Sequence, residues 1–184
     1  MAIKVAFFVY LINVFLFLIL WFPFKKYFLG VGPVVDVSME ETFHDHDMVL
    51  ERIYPFCFKF YKPRVGDIVA FQFLENNERH YLAKRCVAIS GDKIQIINNK
   101  VFLNGKKSYE PYVKIDNKLK NNDVSNYGPV TVEDGKIFVL GDNRRNSMDS
   151  RVIGRVPISS VCGEAVLKLW DNKKKKFCLS TLTY

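Results

Sequence analysis

Histidine is scarce in this sequence. Three occur in 184 residues, at positions 44, 46 and 80, and none sits in a setting that suits a Ser–His–Asp relay. A reactive hydroxyl would therefore need a base of another kind. His44 and His46, in "HDHD", would face the same way on a strand, but no third and fourth ligand can be placed for a metal. The segment reads as a polar loop, and neither metal nor organic cofactor is expected. There is no glycine-rich phosphate loop and no nucleic-acid motif. The net charge of +8 is accordingly read as a solvated basic surface with a loose tail at Lys173–Lys176, compatible with anionic phospholipid and not with a nucleic-acid partner. Cysteine is limited to residues 57, 86, 162 and 178, whose spacing selects none of three possible pairings. A chain this long does not need disulfides to fold. After residue 30 no stretch sustains helical periodicity, and there is no internal repeat.

What the sequence does have is unevenly placed. Seven of the 16 phenylalanines lie within the first 28 residues. Val5–Phe22, "VAFFVYLINVFLFLILWF", contains one strongly polar residue, Asn13. As a helix it would be about 27 Å long, close to the thickness of a bilayer core. Trp21 and Phe22 suit an interfacial belt, followed by Lys25 and Lys26. No small residue follows until Gly30, so the run reads as an uncleaved anchor rather than a cleaved leader. Flanking lysines on both sides leave its orientation undecided.

The remainder predicts strands. "DIVAFQF", "KIQIINN", "KVFLNGK" and "KIFVL" are short, rich in Val, Ile and Phe, and bounded by turn residues. Asn104-Gly105 suits a tight hairpin turn. Residues 98–130 read as a protruding hairpin with a polar loop, within a domain spanning 30–184 that follows an anchor at 1–24. Tyr54, Phe56, Phe58 and Phe60 would share one face of an extended segment, suited to the core or to a lipid interface. The expected fold is mainly β on one N-terminal transmembrane helix.

Three segments concentrate chemistry. "VVDVSMEETF" holds Ser38 and Met39. "HYLAKRCVAISGDKI" places Lys84 in an apolar strand, with Cys86 on the same strand face as a small filler. "GDNRRNSMDSR", Gly141–Arg151, is a polar knot between two apolar runs. Lys84 admits two readings. It could point to solvent from an edge strand. It could instead be desolvated, which disfavours the ammonium and lowers the lysine pKa. A neutral amine could then take the proton of a serine hydroxyl without any histidine.

Together, "SMEET", "KPRVGDIVAF", "AKRCVAISGDKI", "VFLNGKKSYEPY", the knot with its flanking strands, and the late Gly163 resemble the bacterial type I signal peptidase family, in order and over nearly the whole chain. The resemblance implies an antiparallel β fold and a Ser–Lys peptidase with Ser38 as nucleophile and Lys84 as general base. Ser147 matches a serine that orients the lysine amine. Arg85, Asp142, Asn143, Asp149 and Arg151 match a structural brace. Val34, Met39, Leu82 and Ala83 would line shallow substrate pockets. The implied substrates are precursor proteins with signal peptides, small at −1 and −3, cleaved on the extracytoplasmic side of the cell membrane. Rival readings are a specialised maturation peptidase for conjugation or pilus subunits, a non-catalytic membrane-anchored relative, and a soluble self-cleaving regulator. Two residues depart from the family pattern, Glu41 where a proline is common and Asp36 where a serine or glycine is. Near an oxyanion an ionised Asp36 would repel. It is therefore expected to turn outward, toward Arg85 or another cation, leaving the Ser38 N–H to hold the oxyanion.

Overall fold

"DIVAFQF" and the Lys84 segment do fold as neighbouring strands, and their register places the chemistry. The structure is a computed structural model that describes residues 9–17, 29–53, 61–75, 77–113 and 126–182. The strands are β1 (Leu29–Pro33), β2 (Met48–Ile53), β3 (Ile68–Glu75), β4 (Glu78–Ile89), β5 (Lys93–Ile97), β6 (Lys100–Leu103), β7 (Lys106–Lys107), β8 (Tyr127–Thr131), β9 (Lys136–Leu140), β10 (Val156–Pro157), β11 (Val161–Asp171) and β12 (Lys176–Thr181). All described pairings are antiparallel. A large sheet runs β1-β2-β11-β3-β4-β9-β10, with β12 also on β11. A smaller sheet runs β7-β6-β5-β8. The mainly β class stands.

Residues 9–17 form a helix, α1, in which the Asn13 amide donates to the Val9 carbonyl at 2.8 Å and so meets its polar demand locally. Among the described residues no helix is long and apolar enough to cross a membrane. The rest of the expected span, Val5–Phe22, lies outside them, as do Cys57 and the Tyr54–Phe60 aromatics.

Asn104 and Gly105 both take positive φ, 52° and 80°, and close the β6–β7 hairpin with Leu103 paired to Lys106. Two left-handed central residues match the strand twist, which is why Asn-Gly serves there. The lysine run differs from expectation. It is not a loose tail but the turn between β11 and β12, started by the Lys174 N–H donating to Asp171 Oδ1 at 2.9 Å. Cys86 is fully buried among Val69, Phe71, Ile137 and Val139, the small core filler expected.

Two pairings aim the knot. In the β3–β4 ladder Val69 faces Lys84 and Ile68 faces Arg85. On the other side of β4, β9 pairs from Ile89 back to Arg85, which faces Leu140. The chain therefore leaves β9 at Gly141 beside Lys84 and Arg85, and among the described residues no strand pairs with Glu78–Lys84 on that side. A third contribution comes from the end of the chain. After β12, Leu182 is 5% exposed and packs with Met39, Phe43, Val49 and Ile68 beneath the Ser38 turn.

Because Leu182 closes that cluster, Leu182→Ala is expected to lower stability by about 2–5 kcal/mol. Urea unfolding of the detergent-solubilised protein, followed by tryptophan fluorescence, checks it. A loss below about 1 kcal/mol would show that the tail does not seal the core.

Candidate active site

Ser38 opens a turn anchored on its C-terminal side by buried apolar residues. The Phe43 and Thr42 N–H groups donate to the Met39 carbonyl at 2.8 and 3.0 Å, and Met39 and Phe43 are each 1% exposed. Lys84 enters from β4. Its Nζ lies 2.6 Å from Ser38 Oγ and 3.0 Å from the Ala83 carbonyl. Ser38 is 2% exposed and Lys84 1%. Burial lowers the Lys84 pKa, and the charges of Asp36 and Asp149 oppose that shift in part. As an ammonium the lysine donates to the hydroxyl. Once neutral, it can receive the hydroxyl proton along the same contact.

The knot grips three things. Asn143 donates from its backbone to the Ser38 carbonyl at 3.0 Å and from its side-chain amide to the Val37 carbonyl at 3.1 Å. It thus fixes the nucleophile's own backbone. Asp142 receives a two-pronged bond from Arg85, Nε to Oδ1 at 2.9 Å and Nη2 to Oδ2 at 2.7 Å, with both side chains fully buried. Asp149 caps the short helix α2 (Ser150–Ile153), accepts from the Gly141 N–H at 3.0 Å, and is itself bridged by Arg151 Nε and Nη2, each at 2.8 Å. Arg85 therefore pairs with Asp142, while Asp149 and Arg151 pair with each other.

Gly141 has no room for a side chain. A Cβ there would stand 2.2 Å from Ser147 Oγ and 2.6 Å from the Ser38 carbonyl oxygen. The expected Ser147–Lys84 hydrogen bond is not formed here. Among the described residues Ser147 Oγ is buried with no hydrogen-bond partner, and the amine is held instead by Ser38, Ala83 and Asp36.

Asp36 corrects an expectation. It does meet a cation, Lys84 at 3.7 Å from Oδ2, but by turning toward the nucleophile rather than outward. Its Oδ1 accepts the Ser38 N–H at 3.2 Å. The one backbone donor expected for an oxyanion is therefore covered by a carboxylate in this state. Burial raises the Asp36 pKa, but the bonds from Ser38 and the charge of Lys84 outweigh it and leave the group lowered.

Several contributors escaped the sequence reading. Thr42 donates its hydroxyl to Asp142 Oδ2, and Tyr112 lays its ring 3.9 Å from the Arg85 guanidinium carbon. Arg144 joins the Gly141 carbonyl (3.0 Å) to Glu110 (2.6 Å). Thr42 lies in "SMEET", Glu110 and Tyr112 in "SYEPY" and Arg144 in the knot, where it reads as turn chemistry, and none shows where it points.

The histidines stay apart from this chemistry. His46 pairs with Asp45 at 3.4 Å on the surface. His44 lies near Asp47 and Asp171, their ligand atoms within 4.8 Å of one another. That acidic pair already has a cation, since Lys168 Nζ is 2.6 Å from Asp47 and 3.5 Å from Asp171.

A groove of about 590 Å³ opens onto Ser38. Val34, Met39, Leu82 and Ala83 all line it, together with Asp36, Glu51, Ala70, Gln72, Cys162 and Gly163.

A buried serine and a buried lysine lie in contact at the mouth of a groove on an antiparallel sheet, an arrangement in which an amine can accept a hydroxyl proton. The sequence model of the family described as signal peptidase, peptidase S26, matches residues 2–170, and the chain belongs to that family. Signal peptidase I of Bacillus amyloliquefaciens is 40% identical over 129 residues, 67% of this chain and 66% of the relative. Signal peptidase I S of Bacillus subtilis is 44% identical over 91 residues, 47% of each chain. Signal peptidase IB of Staphylococcus aureus is 27% identical over 180 residues, 91% of this chain and 92% of the relative. The chain thus spans between about half and two thirds of the two Bacillus relatives and nearly all of the staphylococcal one.

Two outcomes follow from this geometry. Gly141→Ala must push the Ser38 backbone away, and kcat toward a cleavable peptide should fall at least about a hundredfold while far-ultraviolet circular dichroism keeps its β signature. Activity within about threefold of wild type would mean that the contact yields freely. Asp36→Asn still offers an oxygen to the Ser38 N–H but removes the charge that favours the Lys84 ammonium. The lysine pKa should then fall further, and the acidic limb of kcat/KM should move to lower pH. An unmoved limb, or one displaced to higher pH, would separate Asp36 from Lys84 electrostatically.

Proposed function

We propose that this protein is a membrane-anchored serine endopeptidase that removes N-terminal signal peptides from precursor proteins, with Ser38 as nucleophile and Lys84 as general base. The 2.6 Å approach of Lys84 Nζ to Ser38 Oγ inside a buried setting carries the reading. It also weighs against a non-catalytic relative, which would have no need of a desolvated lysine on a serine.

The reaction follows from the contacts. An extended precursor segment enters the groove and pairs with an open strand edge, for which the unpaired side of Glu78–Lys84 is suited. Lys84 takes the Ser38 hydroxyl proton as Oγ attacks the scissile carbonyl carbon. Negative charge develops on the carbonyl oxygen, and the Ser38 N–H stabilises it once the Asp36 carboxylate has given up that donor. Lys84 then delivers its proton to the departing amine, leaving an ester on Ser38. A water, deprotonated by the Lys84 amine, attacks the ester carbonyl, and Lys84 returns that proton to Ser38 Oγ as the acid product leaves. Asn143 holds the serine backbone throughout, and Gly141 leaves room for it. In this reading Ser147 positions the lysine amine, and its unpartnered buried hydroxyl is the group available for that role.

The Val5–Phe22 run would anchor the chain in the cell membrane, with residues 30–184 on the extracytoplasmic side where translocated precursors emerge. Residues 98–130 would form the hairpin subdomain, joined to the smaller sheet, whose Ile94, Ile96 and Val101 pack in one cluster with Val87, Ala88, Phe138 and Leu140 of the large sheet.

Ser38→Ala and Lys84→Ala should each reduce precursor cleavage below roughly a thousandth of wild type, because the two groups act as one unit. Incubation of each solubilised variant with a labelled precursor measures this. Substantial cleavage by either folded variant would remove that residue from the chemistry.

A further inference from the structure

The protein carries a net charge of +8, yet two of the groove's lining residues are carboxylates and none is a lysine or arginine. One carboxylate, Asp36, is engaged with Ser38 and Lys84. The other, Glu51, is not. It sits on β2 between Gly30 of β1 and Ala165 of β11, half-buried, and among the described residues its carboxylate has no hydrogen bond and no ion pair. The neighbouring arginine does not reach it, because Arg52 pairs with Glu164 at 3.2 Å. Burial alone pushes the Glu51 carboxyl up from its ordinary range, with no cation to hold it down.

The surroundings leave room for a visitor. Ala70 and Gly163 also line the groove. A Cβ added at Gly163 would already meet the Arg52 carbonyl at 3.1 Å and the Ala70 methyl at 3.9 Å, so only the smallest residue keeps that stretch open. An unpaired carboxylate half-removed from water is unfavourable for folding. The position belongs to the substrate groove, where a partner can arrive with the ligand. A glutamate beside small residues complements a long cationic side chain, whose methylenes pass the small residues and whose head meets the carboxylate.

We propose that Glu51 is a specificity-determining residue that selects a lysine or arginine in the substrate strand, at a subsite apart from the scissile bond. The proposal rests on the peptidase reading above. It adds a charge requirement to a groove otherwise suited to small neutral side chains.

The test uses one cleavable parent peptide and a series in which lysine, or its uncharged counterpart norleucine, is walked through each position around the cut. Cleavage is measured with wild type and Glu51→Gln. Binding of the same peptides to Ser38→Ala, with and without Glu51→Gln, is measured separately and needs no turnover. At one position lysine should raise kcat/KM and tighten binding roughly tenfold over norleucine. Glu51→Gln should erase that ratio in both cleavage and binding. A lysine-to-norleucine ratio near one at every position in wild type, or a ratio that survives Glu51→Gln, would overturn the proposal. If wild type cleaves no peptide, the peptidase reading fails, and the binding ratios still decide the role of Glu51.

Discussion

Arg85 is the constraint on which the rest of the structure depends. A guanidinium has five N–H donors and no acceptor, so burying it without five partners is costly. Here Nε and Nη2 reach Asp142, Nη2 also reaches Thr42 Oγ1, and Nη1 reaches the carbonyls of Gly66 and Leu182. Those partners come from the knot, the Ser38 turn, the entry to β3 and the end of the chain. Four segments distant in sequence are thereby required to converge on the residue next to Lys84. Removing one partner would strand a buried charge, at a cost of about 3–5 kcal/mol, so the convergence is cooperative. Lys84 inherits its position from this arrangement. It cannot move along β4 without dragging Arg85 off Asp142.

A second balance sits on top of the first. Lys84 must be dry enough to lose its proton, yet the resting site surrounds it with acids. Burial lowers its pKa while Asp36 and Asp149 work against that shift. Asp36 also covers the Ser38 N–H. A substrate carbonyl that displaces Asp36 would therefore do two things at once, freeing the oxyanion donor and weakening the hold on the ammonium. This explains how a carboxylate can stand where repulsion would otherwise forbid it. In the proposed mechanism the charge is compensated at rest by the lysine and would move away as negative charge develops.

Much of this was legible in the sequence where the signal is local. β3, β5, β6 and β9 follow from runs of branched and aromatic residues, and the β6–β7 turn follows from Asn104-Gly105. Ser38, Lys84 and the knot stood out as dense polar chemistry in apolar surroundings. Directions were not legible. Nothing local says that Asn143 reaches back to Val37 and Ser38 rather than toward the lysine, or that Leu182 closes the core. The same holds for Asp36, whose expected outward turn assumed that a carboxylate near the nucleophile must be avoided. In the folded chain Asp36 meets Lys84 at 3.7 Å and also accepts the Ser38 N–H, so it is held beside the nucleophile. Glu51 gave no signal at all, since a glutamate in "MVLERI" reads as an ordinary solvent-facing strand residue until β11 and β3 close around it.

The account turns on one claim, that the Arg85-centred frame keeps Lys84 dry against Ser38 so that its amine is the base. The direct measurement is an NMR titration of the lysine side chains, labelled with carbon-13 at the ε position, with Lys84 assigned by its loss in Lys84→Ala. Lys84 should titrate below the ordinary lysine value of about 10.4. If it instead titrates together with the solvent-exposed lysines, the amine is charged throughout the working range and the proposed base is contradicted.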